Sequence, residues 1–111
     1  MRIDVLAEKL GWKLLTESGG ADREALVCYC GDLLSWVMGR AKADDVWLTV
    51  MGNINAIAVA TLADVSAIVL VEDAVLDEEA RARANQQEVA VYAASLPAYE
   101  TALQIAAALA E

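Results

Sequence analysis

The run Ala67-Ile68-Val69-Leu70-Val71 is apolar without a break, and no other feature narrows the available folds as far. A strand with one face in water alternates apolar and polar side chains. A short unbroken run of aliphatic residues instead needs cover on both faces, as in parallel sheets held between helical layers. The flanking sequence supplies the helices. A helix from Leu33 to about Gly39 leads through the polar stretch Arg40 to Asp45 into a strand at Val46–Met51. A helix at Ile54–Ala63 precedes the Ala67–Val71 strand, and a helix at about Glu78–Asn85 precedes a strand at Val89–Ala93. The last helix spans Leu96–Ala110, with the single proline, Pro97, in its first turn, where it is tolerated. Strands and helices in this rhythm predict an α/β fold, a layered domain with a mixed, mainly parallel sheet flanked by helices.

The N-terminal part is less regular. Ile3, Leu6, Ala7 and Leu10 lie on one helical face, and Gly11 stands where a left-handed glycine would end that helix. Trp12–Thr16 reads as a short strand, Ser18–Asp22 as a loop and Ala25–Cys30 as a second strand. At 111 residues, with no low-complexity linker and no recurring repeat, residues 1–111 form one domain. The hydrophobic share of 59% exceeds the usual value of about 45–50%. Alanine and valine make much of the excess, which suits close helix–sheet packing and an oligomer interface.

Charge excludes some functions. With 17 acidic and 8 basic residues the net charge is −9, and no Lys or Arg cluster exists. Nucleic acids and anionic membranes, which bind through basic side chains, are therefore not expected partners. No apolar run reaches the roughly 18–20 residues of a membrane helix. Met1-Arg2-Ile3-Asp4 does not look like a signal peptide, so the expected location is cytoplasmic. There is no histidine, no Walker-type loop and no Gly-x-Gly-x-x-Gly. Nothing places a carboxylate base beside Ser35 or a cysteine, so catalysis and a cofactor are not expected.

Candidate ligand residues gather at strand ends, where open α/β sheets hold their ligands. Gly31-Asp32 follows one strand and Gly52-Asn53 another. Asp32, Ser35, Gly52, Asn53, Asn55 and Ser95 are the candidates, with Glu72 and Asp73 at the neighbouring strand end. Asp32, Asn53 and Ser95 equally occupy positions suited to capping the helices that follow, as does Asp77 before Glu78 and Glu79. Between the first two turns, Leu33, Leu34, Trp36, Val37 and Met38 make a helix apolar on almost every side. Leu33, Trp36, Val37 and Met38 are thus candidates for a homodimer contact. Ala98, Ala102, Ala106 and Ala110 recur on one face of the last helix, where core packing is the preferred reading. Cys28 and Cys30 fall on one face of a strand, about 7 Å apart along the chain, which is unfavourable for a disulfide. They read as buried reduced thiols, with a metal shared across a dimer axis as the alternative; no metal site within one chain is expected.

Tyr29 through Gly39, with Asp45-Val46-Trp47-Leu48-Thr49 and Asn53 through Ala60, resembles the DRTGG domain family. The opening helix, Asp22-Arg23 and Ala67–Glu72 also resemble it, so the likeness spans nearly the whole chain, although the string that names the family is absent. That family is similar to the N-terminal domain of HPr kinase and, more distantly, to the first domain of certain Mur ligases. Its members occur fused to phosphotransacetylases and to CBS-domain pyrophosphatases, or alone, some beside iron-only hydrogenase genes. The resemblance implies an α/β domain that dimerises and regulates rather than catalyses. The strand-end Gly-Asp and Gly-Asn turns, supported by the family's association with CBS domains, point to sensing of a nucleotide or phosphorylated metabolite. The alternative is a protein-interaction module without a small ligand, partner to a redox enzyme complex.

Overall fold

In the computed structural model, which describes residues 1–111, ten elements follow one another along the chain. They are α1 (Ile3–Leu10), β1 (Lys13–Leu14), β2 (Cys28–Cys30), α2 (Leu34–Arg40), β3 (Val46–Thr49), α3 (Ile54–Ala63), β4 (Ala67–Leu70), α4 (Glu78–Gln87), β5 (Val91–Ala93) and α5 (Ala98–Leu109). The strands form one sheet in the order β1-β5-β4-β3-β2. β2 through β5 are parallel, and β1 joins antiparallel to β5, with Leu14 opposite Tyr92. The fold is α/β with a mixed, mainly parallel sheet, as the strand–helix rhythm predicts.

The unbroken apolar strands are explained by layers on both sides. Val46, Leu48, Ala67, Val69 and Tyr92 face one core, with Ile3 and Leu6 of α1 and Ile105 and Ala108 of α5. Trp47, Ile68, Leu70 and Val91 face the other, with Val37 of α2, Ile57 and Ala60 of α3 and Ala80 and Ala84 of α4. Successive residues of a strand point to opposite faces, so each core takes every second side chain. No helix is long and apolar enough to cross a membrane.

Several boundaries differ from the sequence reading. Trp12–Thr16 contributes only Lys13 and Leu14 to the sheet, and Ala25–Cys30 only Cys28 to Cys30. A strand extends only as far as its neighbour pairs with it, and β5 offers three residues. Val37 is fully buried, so it belongs to the core and not to a dimer surface. Leu33, Trp36 and Met38 remain exposed at 59%, 53% and 48%. The Arg40 guanidinium lies 3.7 Å from the centroid of the Trp36 ring, a cation–π contact on that surface. On α5 the buried residues are Thr101, Ile105 and Ala108. Ala106 and Ala110 of the alanine stripe are exposed, so core packing does not account for them. Arg23 bonds to the Asp44 carboxylate at 2.8 Å and to Asp64 at 2.9 Å, tying the segment before β2 to the end of α3.

Candidate functional site

The carboxyl ends of β2, β3 and β4 enclose a pocket of about 250 Å³ lined by Cys30, Gly31, Asp32, Thr49, Val50, Glu72 and Ala98, among others. Its shape is fixed by a small network. The Trp47 indole nitrogen donates to the Gly31 carbonyl at 2.8 Å, holding the turn after β2. Asp32 Oδ1 accepts from the Thr49 hydroxyl at 2.6 Å and from the Val50 amide at 3.0 Å. Thr49 Oγ1 in turn accepts from the Met51 amide at 3.2 Å. Asp32 is thus a latch between two strand ends. It does not cap α2, whose N-cap position is taken by Leu33 with no side-chain bond.

A sheet of this kind opens a crevice where neighbouring strands send their helices to opposite faces. Here that point lies between β4 and β5, since α4 and α5 pack in different cores. Backbone bonds close it. The Glu72 amide donates to the Leu96 carbonyl at 3.1 Å and the Asp73 amide to the Ala94 carbonyl at 3.2 Å. Glu72 and Asp73 both adopt left-handed backbone, with φ of 56° and 54°.

The other expected ligand residues do not converge on this pocket. Ser35 is exposed on α2 and Asn55 exposed on α3. Asn53 caps α3, its side chain accepting from the Ala56 amide at 2.9 Å. Gly52 is required by close packing, because a Cβ there would sit 2.0 Å from the Val75 carbonyl oxygen. Its own carbonyl accepts from the Asp77 amide at 2.8 Å. Ser95 lies in a separate crevice with Gly11, Trp12 and Thr101. It does not cap α5, where Pro97 takes the N-cap position, just ahead of the first turn. Asp77 occupies the N-cap of α4 but makes no side-chain cap bond. Of the six candidates, only Asp32 lines the pocket.

The thiols are closer than strand spacing implies. Cys28 and Cys30 Sγ atoms are 3.7 Å apart, and Cys30 is exposed rather than buried. Burial, reinforced by the neighbouring Cys30, pushes the Cys28 thiol up to about 12. No three His, Cys, Asp or Glu side chains come together as metal ligands.

The largest hollow lies at the opposite end of the sheet. It measures about 760 Å³, between α1, the β1–β5 edge and the Ser18–Asp22 loop. Trp12, Leu14 and Tyr92 line it, the two rings 6.0 Å apart and tilted by 51°. Asp4, Glu8, Asp22 and Glu88 bring four carboxylates, against Arg2 as the one cation. Arg2 is bound to Asp4 at 2.7 Å, which holds that carboxyl below its usual range. Gly20 makes the loop possible. Its φ is +82°, and a Cβ there would lie 2.1 Å from the Glu88 carbonyl oxygen. The sequence signal was Asp4, Glu8 and Trp12 at four-residue spacing, which by itself reads as a solvated helix face.

No family model matches the chain, and a search of curated proteins likewise found no match.

Proposed function

We propose that the protein is a non-catalytic interaction domain that acts as a homodimer through the β2 edge of its sheet. The observation that carries this reading is the edge itself. From Ala25 to Gly31 the chain has no charge and no proline, and Leu26 and Val27 are each 57% exposed. Val27 and Gly31 bond toward β3, so alternation turns the backbone groups of Cys28 and Cys30 outward. Monomeric proteins guard such edges with charge, proline or a bulge. A second copy, laid antiparallel across a two-fold axis, satisfies the same outward groups on both chains.

Both sides of the edge are apolar. On one face stand the exposed Leu33, Trp36 and Met38. On the other is a groove of about 460 Å³ whose lining is wholly hydrophobic, including Leu26, Val27, Ala102, Ala106 and Leu109. This is the homodimeric, regulatory role that the resemblance to DRTGG domains implies, in a cytoplasmic setting where paired thiols stay reduced. The ligand part of that role is narrowed by charge. Asp32 and Glu72 line the carboxyl-end pocket with no Lys or Arg beside them, so a nucleotide or phosphorylated metabolite would meet no cation there.

Light scattering across a concentration series tests the reading. The expected mass at high concentration is twice 11.8 kDa, falling to one chain for Val27→Lys, which places a charge on the edge without entering the core. A wild-type chain that stays monomeric at every concentration, or a Val27→Lys variant that still dimerises, overturns it. Stoichiometric binding of a monomer to a redox enzyme would favour the alternative module.

A further inference from the structure

We propose that the hollow between α1, the β1–β5 edge and the Ser18–Asp22 loop is a binding site for a small hydroxylated alkylammonium cation. It stands at the far end of the sheet from β2, so it is independent of the dimer. Its volume of about 760 Å³ falls in the range of small-molecule sites, about 300–1,000 Å³.

Three independent features define the ligand. The first is a polar group whose only open side is the hollow. Tyr92 is only 3% exposed and lines the hollow, yet no hydrogen bond to its hydroxyl is formed by any protein group. Buried phenols ordinarily find a partner, and the open volume beside this one is where such a partner would sit. Burial, and then the charge of Asp4, hold the phenol above its ordinary value, so it is neutral and can donate as well as accept. The second feature is the aromatic corner. Trp12 is half-buried and packs at 51° against the buried Tyr92 ring, so its exposed part offers ring surface to a cation together with its methyl or methylene groups. The third is charge. Asp4 is neutralised by Arg2, which leaves Glu8, Asp22 and Glu88 around the hollow without a basic partner.

A phosphate or carboxylate ligand would be repelled here, and a bare metal ion would find no cluster of ligating side chains. An ammonium head group against Trp12, with a hydroxyl reaching Tyr92, uses all three features. The wall is built for permanence, because Gly20 is locked against the Glu88 backbone and the Asp4 amide donates to the Ala21 carbonyl at 3.1 Å.

Calorimetric titration with choline and ethanolamine, each compared with a neutral carbon isostere such as dimethylbutanol, tests the proposal at constant ionic strength. At least one cation should bind one per chain, with the neutral isostere about tenfold weaker or worse, the difference expected for losing a charge-assisted contact. Tyr92→Phe should weaken binding about tenfold while the protein stays folded. Glu8→Gln with Asp22→Asn, both on exposed residues, should weaken it about as much. The control pair Glu78→Gln with Glu79→Gln removes equal charge from α4 and should change it less than about twofold. The control separates a local site from general attraction to a chain of net charge −9. The proposal is overturned if neither cation binds in the millimolar range, if the neutral isostere binds equally well, or if the control pair weakens binding as much as the pair in the hollow.

Discussion

Replacing Asp32 by alanine separates a latch from a ligand residue. In the latch, one carboxylate oxygen holds the Thr49 hydroxyl at 2.6 Å and the Val50 amide at 3.0 Å. Hydrogen bonds to a charged group contribute about 1.5–3 kcal/mol each. Asp32 is exposed, so solvent screens the charge and the lower end applies. The Val50 amide can turn to water, but Thr49 is 2% exposed and its hydroxyl is left without that acceptor, at a cost of about 1–3 kcal/mol. Asp32→Ala should therefore lose about 2–3 kcal/mol, and Asp32→Asn, which keeps an acceptor oxygen, about 1 kcal/mol. In urea the midpoint should fall with an unchanged slope, and for a slope of about 1–3 kcal/mol per M that is a shift of roughly 0.7–3 M. Thr49→Val should be non-additive with Asp32→Ala, since each removes the same bond. A loss below about 0.5 kcal/mol, or simple additivity, would refute the latch and return Asp32 to the pool of free ligand residues.

Further outcomes follow from the same contacts. Gly20→Ala should cost about 2–4 kcal/mol, combining left-handed strain with a backbone clash, and should lower the melting temperature by more than 10 °C or so. A melting temperature within a few degrees of wild type would mean that the loop is not fixed by Glu88. Asn53→Ala should cost about 1 kcal/mol by loss of the α3 cap, and Asp77→Ala close to nothing, read by chemical denaturation of both. Cys30 should react quickly with a thiol reagent in dilute solution and more slowly as the dimer forms, with Cys28 slow throughout. Because folding raises the Cys28 thiol from 9.0 to about 12, its contribution is intact below pH 9 and is lost as pH climbs from there toward about 12. Cys28→Ala should flatten that part of the stability–pH curve, as measured by urea midpoints at each pH.

Where the sequence was legible, the information was local. Ile3–Leu10 and Ile54–Ala63 match the observed helices residue for residue. Periodicity marks the first and Asn53 starts the second. Left-handed residues, Gly11 and Asp64, end them. Legibility failed where a residue's partner is distant in the chain. Asp32 looks like a cap because its neighbours are a helix, but it prefers Thr49, seventeen positions away. Gly52 looks like a flexible ligand turn until Val75 is brought against it. The hollow needs Tyr92 and Glu88 to meet Trp12 and Asp4, and no local pattern joins residues that far apart. The exposed side of α2 was readable as apolar, but which of its residues face inward depended on the strand it packs against. Val37 therefore joined the core while Trp36 and Met38 did not.

The two edges of the sheet are treated differently, and this bears most directly on what the domain does. Beyond β5 the edge is blunted. β1 is two residues long and carries the exposed Lys13. The chain after it is tied back by the Leu15 amide to the Val91 carbonyl at 2.8 Å and by Arg81 to the Leu15 carbonyl. Beyond β3 the chain just before β2 is tied down, since Arg2 bridges Glu24 and the Met1 carbonyl accepts from the Ala25 amide at 2.8 Å. Past that bridge, however, β2 meets solvent with uncharged residues and the outward backbone groups of Cys28 and Cys30. An unguarded edge promotes uncontrolled association, and a protein able to blunt one edge can blunt the other. The acidic surface gives the same contrast. The hollow near β1 collects four carboxylates, whereas the groove beside β2 has no polar lining residue at all. If the β2 edges pair as proposed, repulsion between chains of net charge −9 is weakest there, and added salt should strengthen that pairing while weakening the proposed cation binding at the other end.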